Sequence, residues 1–159
     1  LEVYRGPLDN VYERYKGCIL NYGFSAFGRI CCDSPGISDK LISYAINAYK
    51  ETESFALVTN VFNRSFPVGQ SIEIVNSQVF LSPEYVNING FSEEHVTQGF
   101  YKNYHKYKIC SIEKIKKERE ISWAVDEVED LEVIKKLIKN DYDFNSEKVK
   151  TTLVSNEYN

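Results

Sequence analysis

The chain has 159 residues, 43% of them hydrophobic, and a formal net charge of −4. That length suits one domain with its own core, and the acidic balance lacks the concentrated positive field that a nucleic-acid or anionic-membrane partner requires. No apolar run approaches the ~20 residues of a membrane span, and the first residues lack the basic-then-apolar layout of a signal peptide, so a cytoplasmic protein is expected.

The opening "LEVYRGPLDN" reads as an alternating strand entered in mid-sheet, which suggests a chain truncated at its amino terminus. A helix follows over about 9–19, with Val11, Tyr15, Cys18 and Ile19 on one stripe and Asp9 near its start. "FSAFGRICC" reads as a strand, and Ser38 as the N-cap of a helix carrying Leu41, Ile42, Ala45, Ile46 and Tyr49 at helical spacing. "SFALVTNVF" has the continuous apolar character of a strand covered on both faces. In "NRSFPVGQSIEIV" a Pro and Gly turn precedes a strand in which Ile72 and Ile74 alternate with Ser71 and Glu73, a half-buried pattern.

A loop through Pro83 and "NING" then leads to a helix expected over about 92–104, and "YKICSI" forms a further strand. The last unit is the strand "ISWAV" followed by a helix over about 127–139. The polar remainder reads as a partly ordered tail, so the chain divides into a domain over 1–139 and a tail over 140–159. Cys18, Cys31, Cys32 and Cys110 include no C-x-x-C pair and no zinc spacing, which favours reduced thiols. In a strand, alternation would bury at least one of Cys31 and Cys32.

Strands alternating with helices of ten or more residues imply βαβ units, hence an α/β fold with a mostly parallel sheet between two helical layers. Ligands of such sheets bind beyond the carboxyl ends of the strands. Asp33 follows "GRICC" and Asp126 follows "ISWAV", so both carboxylates would emerge at that edge. Two carboxylates from distant positions suit Mg²⁺, which takes oxygen ligands and completes its shell with water and phosphate. The same residues also read as local structure. Asp126 and Glu129 make an Asp-x-x-Glu helix start, and Asp33 before Ser-Pro-Gly is a turn opener. Spacing leaves both readings open.

The ordered segments "VYRGPLDNVYERY", "GRICCDSPGIS", "VTNVFNRSFPVGQSIEIV", "SEEHVTQGFYKN" and "ISWAVDEVEDLEVIKKL" together resemble the later part of the cytidylyltransferases related to spore-coat polysaccharide biosynthesis proteins, cousins of the acylneuraminate and KDO cytidylyltransferases. The resemblance implies a three-layer nucleotide-diphospho-sugar transferase fold. It implies transfer of a nucleotide, usually from CTP, to a sugar or sugar acid with release of pyrophosphate, in the service of surface polysaccharide synthesis. By its motifs Asp33 of "CDSP" and Asp126 of "VDEVEDL" would hold the Mg²⁺, and Arg64, Glu73 and His95 would face the acceptor. Arg29, on the strand before Asp33, could reach a phosphate or pair with a carboxylate, and Asp9 falls near a segment that approaches the nucleotide. Family members are often dimers, so a homodimer is consistent with this reading.

The departures are as informative. The family's Gly- and basic-rich nucleotide loop has no counterpart, Cys32 replaces a Gly, Ser71 stands where an Asp is usual, and Val68 replaces a frequent acidic residue. A family remnant without catalysis, acting as a sugar-binding or protein-interaction domain, is therefore the rival. A glycosyltransferase of related fold ranks behind both, since Asp141 and Asp143 make the one Asp-x-Asp pair and lie in the polar tail. The basic run "KIKKER" fits an exposed loop.

Overall fold

The computed structural model describes residues 2–51, 54–115, 122–140 and 148–154. In chain order its elements are α1 (Val11–Tyr22), β1 (Ala26–Arg29), α2 (Asp39–Glu51), β2 (Leu57–Thr59), β3 (Glu73–Asn76), the short helices α3 (Ser77–Phe80), α4 (Pro83–Val86) and α5 (Gln98–Lys102), a 3-10 turn (Tyr104–Lys106), β4 (Ile109–Lys114), α6 (Val128–Lys139) and β5 (Val149–Val154).

The strands form a five-stranded sheet in the order β1-β3-β2-β4-β5. β1, β2 and β4 share one direction, and β3 and β5 oppose it, so the direct parallel ladder is β2 with β4 and the other three ladders are antiparallel. The expected α/β class holds, with a mixed sheet in place of a mostly parallel one. The cause is that β3 leads straight into α3 and inserts between β1 and β2, separating two strands that point the same way.

Side-chain alternation sorts the core into two layers. On one face α2 lays Leu41, Ala45 and Ala48 over Val58, Ile72, Ile74, Cys110 and Ile112. On the other, Tyr12 and Ile19 of α1 join Phe80, Tyr85, Val96 and Phe100 over Leu57, Val75 and Ile109. Aromatic contacts stiffen this second layer, with Tyr85 stacked on Phe100 at 4.3 Å between ring centroids. All three residues of β2 are buried, as its unbroken apolar run requires.

Local chemistry sets the helix ends. The Asn10 side chain accepts the Glu13 amide at 2.8 Å, and Gly23 closes α1 in the left-handed region at φ 71°. Ser38 Oγ accepts the Leu41 amide, the expected cap of α2. At α6 the cap is Glu127, one residue beyond Asp126, and the Asp130 carboxylate accepts both the Asp126 and Glu127 amides.

Several expected elements differ. Residues 2–7 form no strand, and Val3 is 70% exposed with no sheet partner. Over 92–104 the helix contracts to Gln98–Lys102, because Ser92 Oγ captures the His95 amide and turns the chain first. In "ISWAV" Ile121 lies outside the described residues, and Ser122 makes only an isolated bridge to Val68. The polar stretch after 140 contributes a full strand: Val149–Val154 pairs along β4 although most of its side chains are exposed, since an edge strand needs hydrogen bonds more than burial. Asp141, Asp143 and most of "KIKKER" lie outside the described residues. Among the described residues no helix is long and apolar enough to cross a membrane.

Candidate functional site

The register of the sheet aligns Arg29 with Glu73, Glu73 with Thr59, and Thr59 with Ser111. Paired positions point to the same face, so these four make a polar row at the end of the aromatic layer. The row lies at the carboxyl ends of β1 and β2.

Glu73 anchors this row. The alternation of its strand suggested solvent, yet Glu73 is only 3% exposed. Its Oε2 accepts from Arg29 Nη1 at 2.7 Å and from Thr97 Oγ1 at 3.3 Å, and its Oε1 accepts from Tyr101 Oη at 2.5 Å. Burial alone would lower the proton affinity of Arg29, but the adjacent Glu73 carboxylate more than offsets it and holds the guanidinium above its ordinary value. Tyr101 is pushed strongly upward, first by burial and then by Glu73, and so stays a neutral donor.

Beside the row three loops are stitched together by backbone and amide hydrogen bonds. Gln70 Nε2 donates to the Gly36 carbonyl at 2.9 Å, Trp123 N–H donates to the Val68 carbonyl at 2.7 Å, and Val125 N–H donates to the Asp33 carbonyl at 2.8 Å. Asn60 closes the middle loop by accepting the Ile72 amide at 2.9 Å. Gly69 permits the approach: at φ 86° its absent Cβ would sit 2.3 Å from the Ala124 nitrogen and the Trp123 carbonyl carbon.

Asp33 and Asp126 are therefore neighbours in space, joined through Val125, and both are exposed. One Asp33 oxygen accepts from Ser34 Oγ at 2.9 Å. Among the described residues no group of three or more His, Cys, Asp and Glu is gathered as a metal cluster, so any ion here would rest on two carboxylates. Cys31 and Cys32 lie in the turn after β1, where neither is buried, contrary to the strand expectation.

The remaining sequence candidates are dispersed. Arg64 Nη2 donates to Ser71 Oγ at 3.1 Å, two residues ahead of Glu73. His95 is exposed in the turn before α5, and Asp9 is exposed ahead of α1. The Tyr12 N–H to Glu93 carbonyl bond of 2.9 Å ties their two segments together, but neither side chain shares a hydrogen bond with the Arg29 and Glu73 pair. Thr59, Thr97 and Tyr101 escaped the sequence reading. The available signal was Thr97 and Tyr101 four residues apart in "HVTQGFYKN", a spacing that puts both on one helical face. A groove of about 670 Å³ lies on the other face of β1 and β3 against α2, with Ile30, Ile42, Ile46, Ile72 and Ile74 in its lining.

No family model matches the chain, and no curated protein does. A solved structure of a cytidylyltransferase from Leptospira borgpetersenii serovar Hardjo-bovis superposes with a TM-score of 0.79 at 23% identity, covering 87% of this chain and 59% of that one. The likeness is one of fold: this chain carries the α/β architecture of that cytidylyltransferase over rather more than half of its length.

Proposed function

We propose that the protein is a nucleotidyltransferase that joins a nucleoside monophosphate, from CTP, to a sugar or sugar acid and releases pyrophosphate, a step that would supply surface polysaccharide synthesis. The observation that carries this reading is the 2.8 Å backbone bond from the Val125 amide to the Asp33 carbonyl, which brings the chain segments of Asp33 and Asp126 together. The fold likeness to a cytidylyltransferase and the ordered motifs support it.

In this reading Asp33 and Asp126 would hold Mg²⁺, and two exposed carboxylates fit an ion that keeps water and phosphate in its shell. When bound, the ion would supply charge neutralisation at the phosphates. The acceptor hydroxyl attacks the α-phosphorus, the bond to the bridging oxygen breaks, and the electron pair leaves with pyrophosphate. Catalysis of this kind is positioning and electrostatics. Arg29 and Arg64 supply cationic donors near the strand ends, the buried Glu73 holds Arg29 from behind, His95 lies on the acceptor side, and Asp9 lies toward the nucleotide.

The test is Mg²⁺-dependent CTP binding by the full chain, followed by the emission of Trp123, the single tryptophan, buried three residues before Asp126. Asp33→Asn and Asp126→Asn are each expected to abolish the Mg²⁺-dependent part, and pyrophosphate exchange against a panel of sugars and sugar acids identifies the acceptor. Binding that is indifferent to both substitutions would sink the metal assignment.

A further inference from the structure

Glu73 and Arg29 do not share one role. Glu73 already receives three donors and is 3% exposed, so a ligand cannot reach its oxygens. Arg29 differs: about a quarter of its side chain is open, at 26%. Only its Nη1 is engaged, and among the described residues its Nε and Nη2 have no hydrogen-bond partner. Those two nitrogens form the edge of the guanidinium fork that matches a carboxylate or phosphate with two parallel hydrogen bonds.

The hydrogens behind Glu73 run in one direction. The Val61 amide can only donate, and it gives its hydrogen to Thr59 Oγ1 at 3.0 Å. A carboxylate can only accept, so Tyr101 must donate to Glu73 Oε1. Between them, Thr59 Oγ1 donates to Tyr101 Oη at 3.0 Å. The relay from Val61 through Thr59 and Tyr101 to Glu73 is therefore fully ordered, with no hydroxyl free to turn. Tyr101 is further braced by its ring stacked on Phe62, 6.0 Å between centroids at 25°.

We infer that Arg29 is the residue that contacts a substrate oxyanion, a carboxylate or a phosphate, and that Thr59, Tyr101 and Thr97 are positioning residues that aim it through the buried Glu73 carboxylate. This assignment rests on the proposed transferase reading for the identity of the substrate, while the anion chemistry stands on the geometry alone. It also moves Glu73 from ligand contact to support. A guanidinium tethered by one nitrogen can swing about that bond. Clamping the partner carboxylate at both oxygens, by Tyr101 of α5 and by Thr97 at the start of that helix, with Thr59 of β2 bracing Tyr101 from behind, removes this freedom before the ligand arrives.

The experiment follows the Arg29 Nε–Hε signal of the ¹⁵N-labelled full chain during separate titrations with pyrophosphate and glucuronate, without CTP or Mg²⁺. One or both probes are expected to shift that signal. A response to pyrophosphate alone assigns a nucleotide phosphate, and a response to glucuronate alone an acceptor carboxylate. Arg29→Lys, which keeps the charge but loses the fork, should weaken binding about tenfold. Tyr101→Phe and Thr59→Val should weaken it about three- to tenfold with the spectrum otherwise folded. A purely structural relay would instead lower the unfolding midpoint and leave the affinity unchanged, which overturns the positioning claim. An Arg29 signal that ignores both probes, or an Arg29→Lys protein that binds as the native one does, overturns the contact. An intact Arg29 response without any nucleotidyl transfer would sink the transferase reading and leave this one standing.

Discussion

Replacing Glu73 by Gln tests the polar row most directly. Gln keeps the size and one carbonyl acceptor for Tyr101, but it removes the charge and turns an amide donor toward Arg29 or Thr97. Removing one partner of a fully buried pair costs about 3–5 kcal/mol, because the other charge is stranded. Arg29 is 26% exposed and can recover part of its hydration, so about 2–3 kcal/mol is the expected loss. That is a large share of the ~5–15 kcal/mol that a domain commonly has. Urea unfolding followed by Trp123 fluorescence and circular dichroism should show a lower midpoint with an unchanged slope, the mark of lost stability without a changed denatured state. A Glu73→Gln protein within about 0.5 kcal/mol of the native one, the range of ordinary surface changes, would refute the view of Glu73 as a buried, saturated anchor.

Two further expectations concern neighbouring structure. Gly69→Ala forces a Cβ to within 2.3 Å of the Trp123 and Ala124 backbone at a positive φ. It should cost about 3 kcal/mol and red-shift the emission of Trp123 as the Val68 to Trp123 bond opens, and unaltered emission would refute the close approach. In the unfolded chain Tyr85 and Tyr101 ionise near pH 10, whereas burial raises both in the folded protein. Above about pH 10 the unfolded state thus binds fewer protons than the folded one, and stability falls by about 1.4 kcal/mol per pH unit for each tyrosine. Absorbance at 295 nm should report their ionisation only together with loss of the circular dichroism signal. Ionisation of every tyrosine near pH 10 in a folded protein would contradict this.

Periodicity and local chemistry sufficed for much of the fold. Leu41 and Ala45 of the α2 stripe, the Ser38 cap and the unbroken apolar run of β2 all describe interactions within a few residues, so they can be read from one stretch of chain. Asp33 and Asp126 were legible for the same reason, as residues placed at the ends of strand-like runs. That their segments lie near each other was a topological expectation, and the structure shows it as the backbone bond from Val125 to Asp33.

Long-range packing decided the rest. The burial of Glu73 depends on Tyr101 and Thr97, 28 and 24 residues away, and no local pattern distinguishes it from a solvated strand residue. β5 is mostly exposed and lies in an otherwise polar stretch, and it owes its existence to the free edge of β4, which its own sequence does not announce. The mixed direction of the sheet follows from β3 inserting between β1 and β2, a choice made by cross-strand pairing and not by the propensity of any one strand. Short-range periodicity thus determined the three long helices α1, α2 and α6 and most of the strands, while burial and hydrogen bonding between distant segments decided which charges are solvated and which are held.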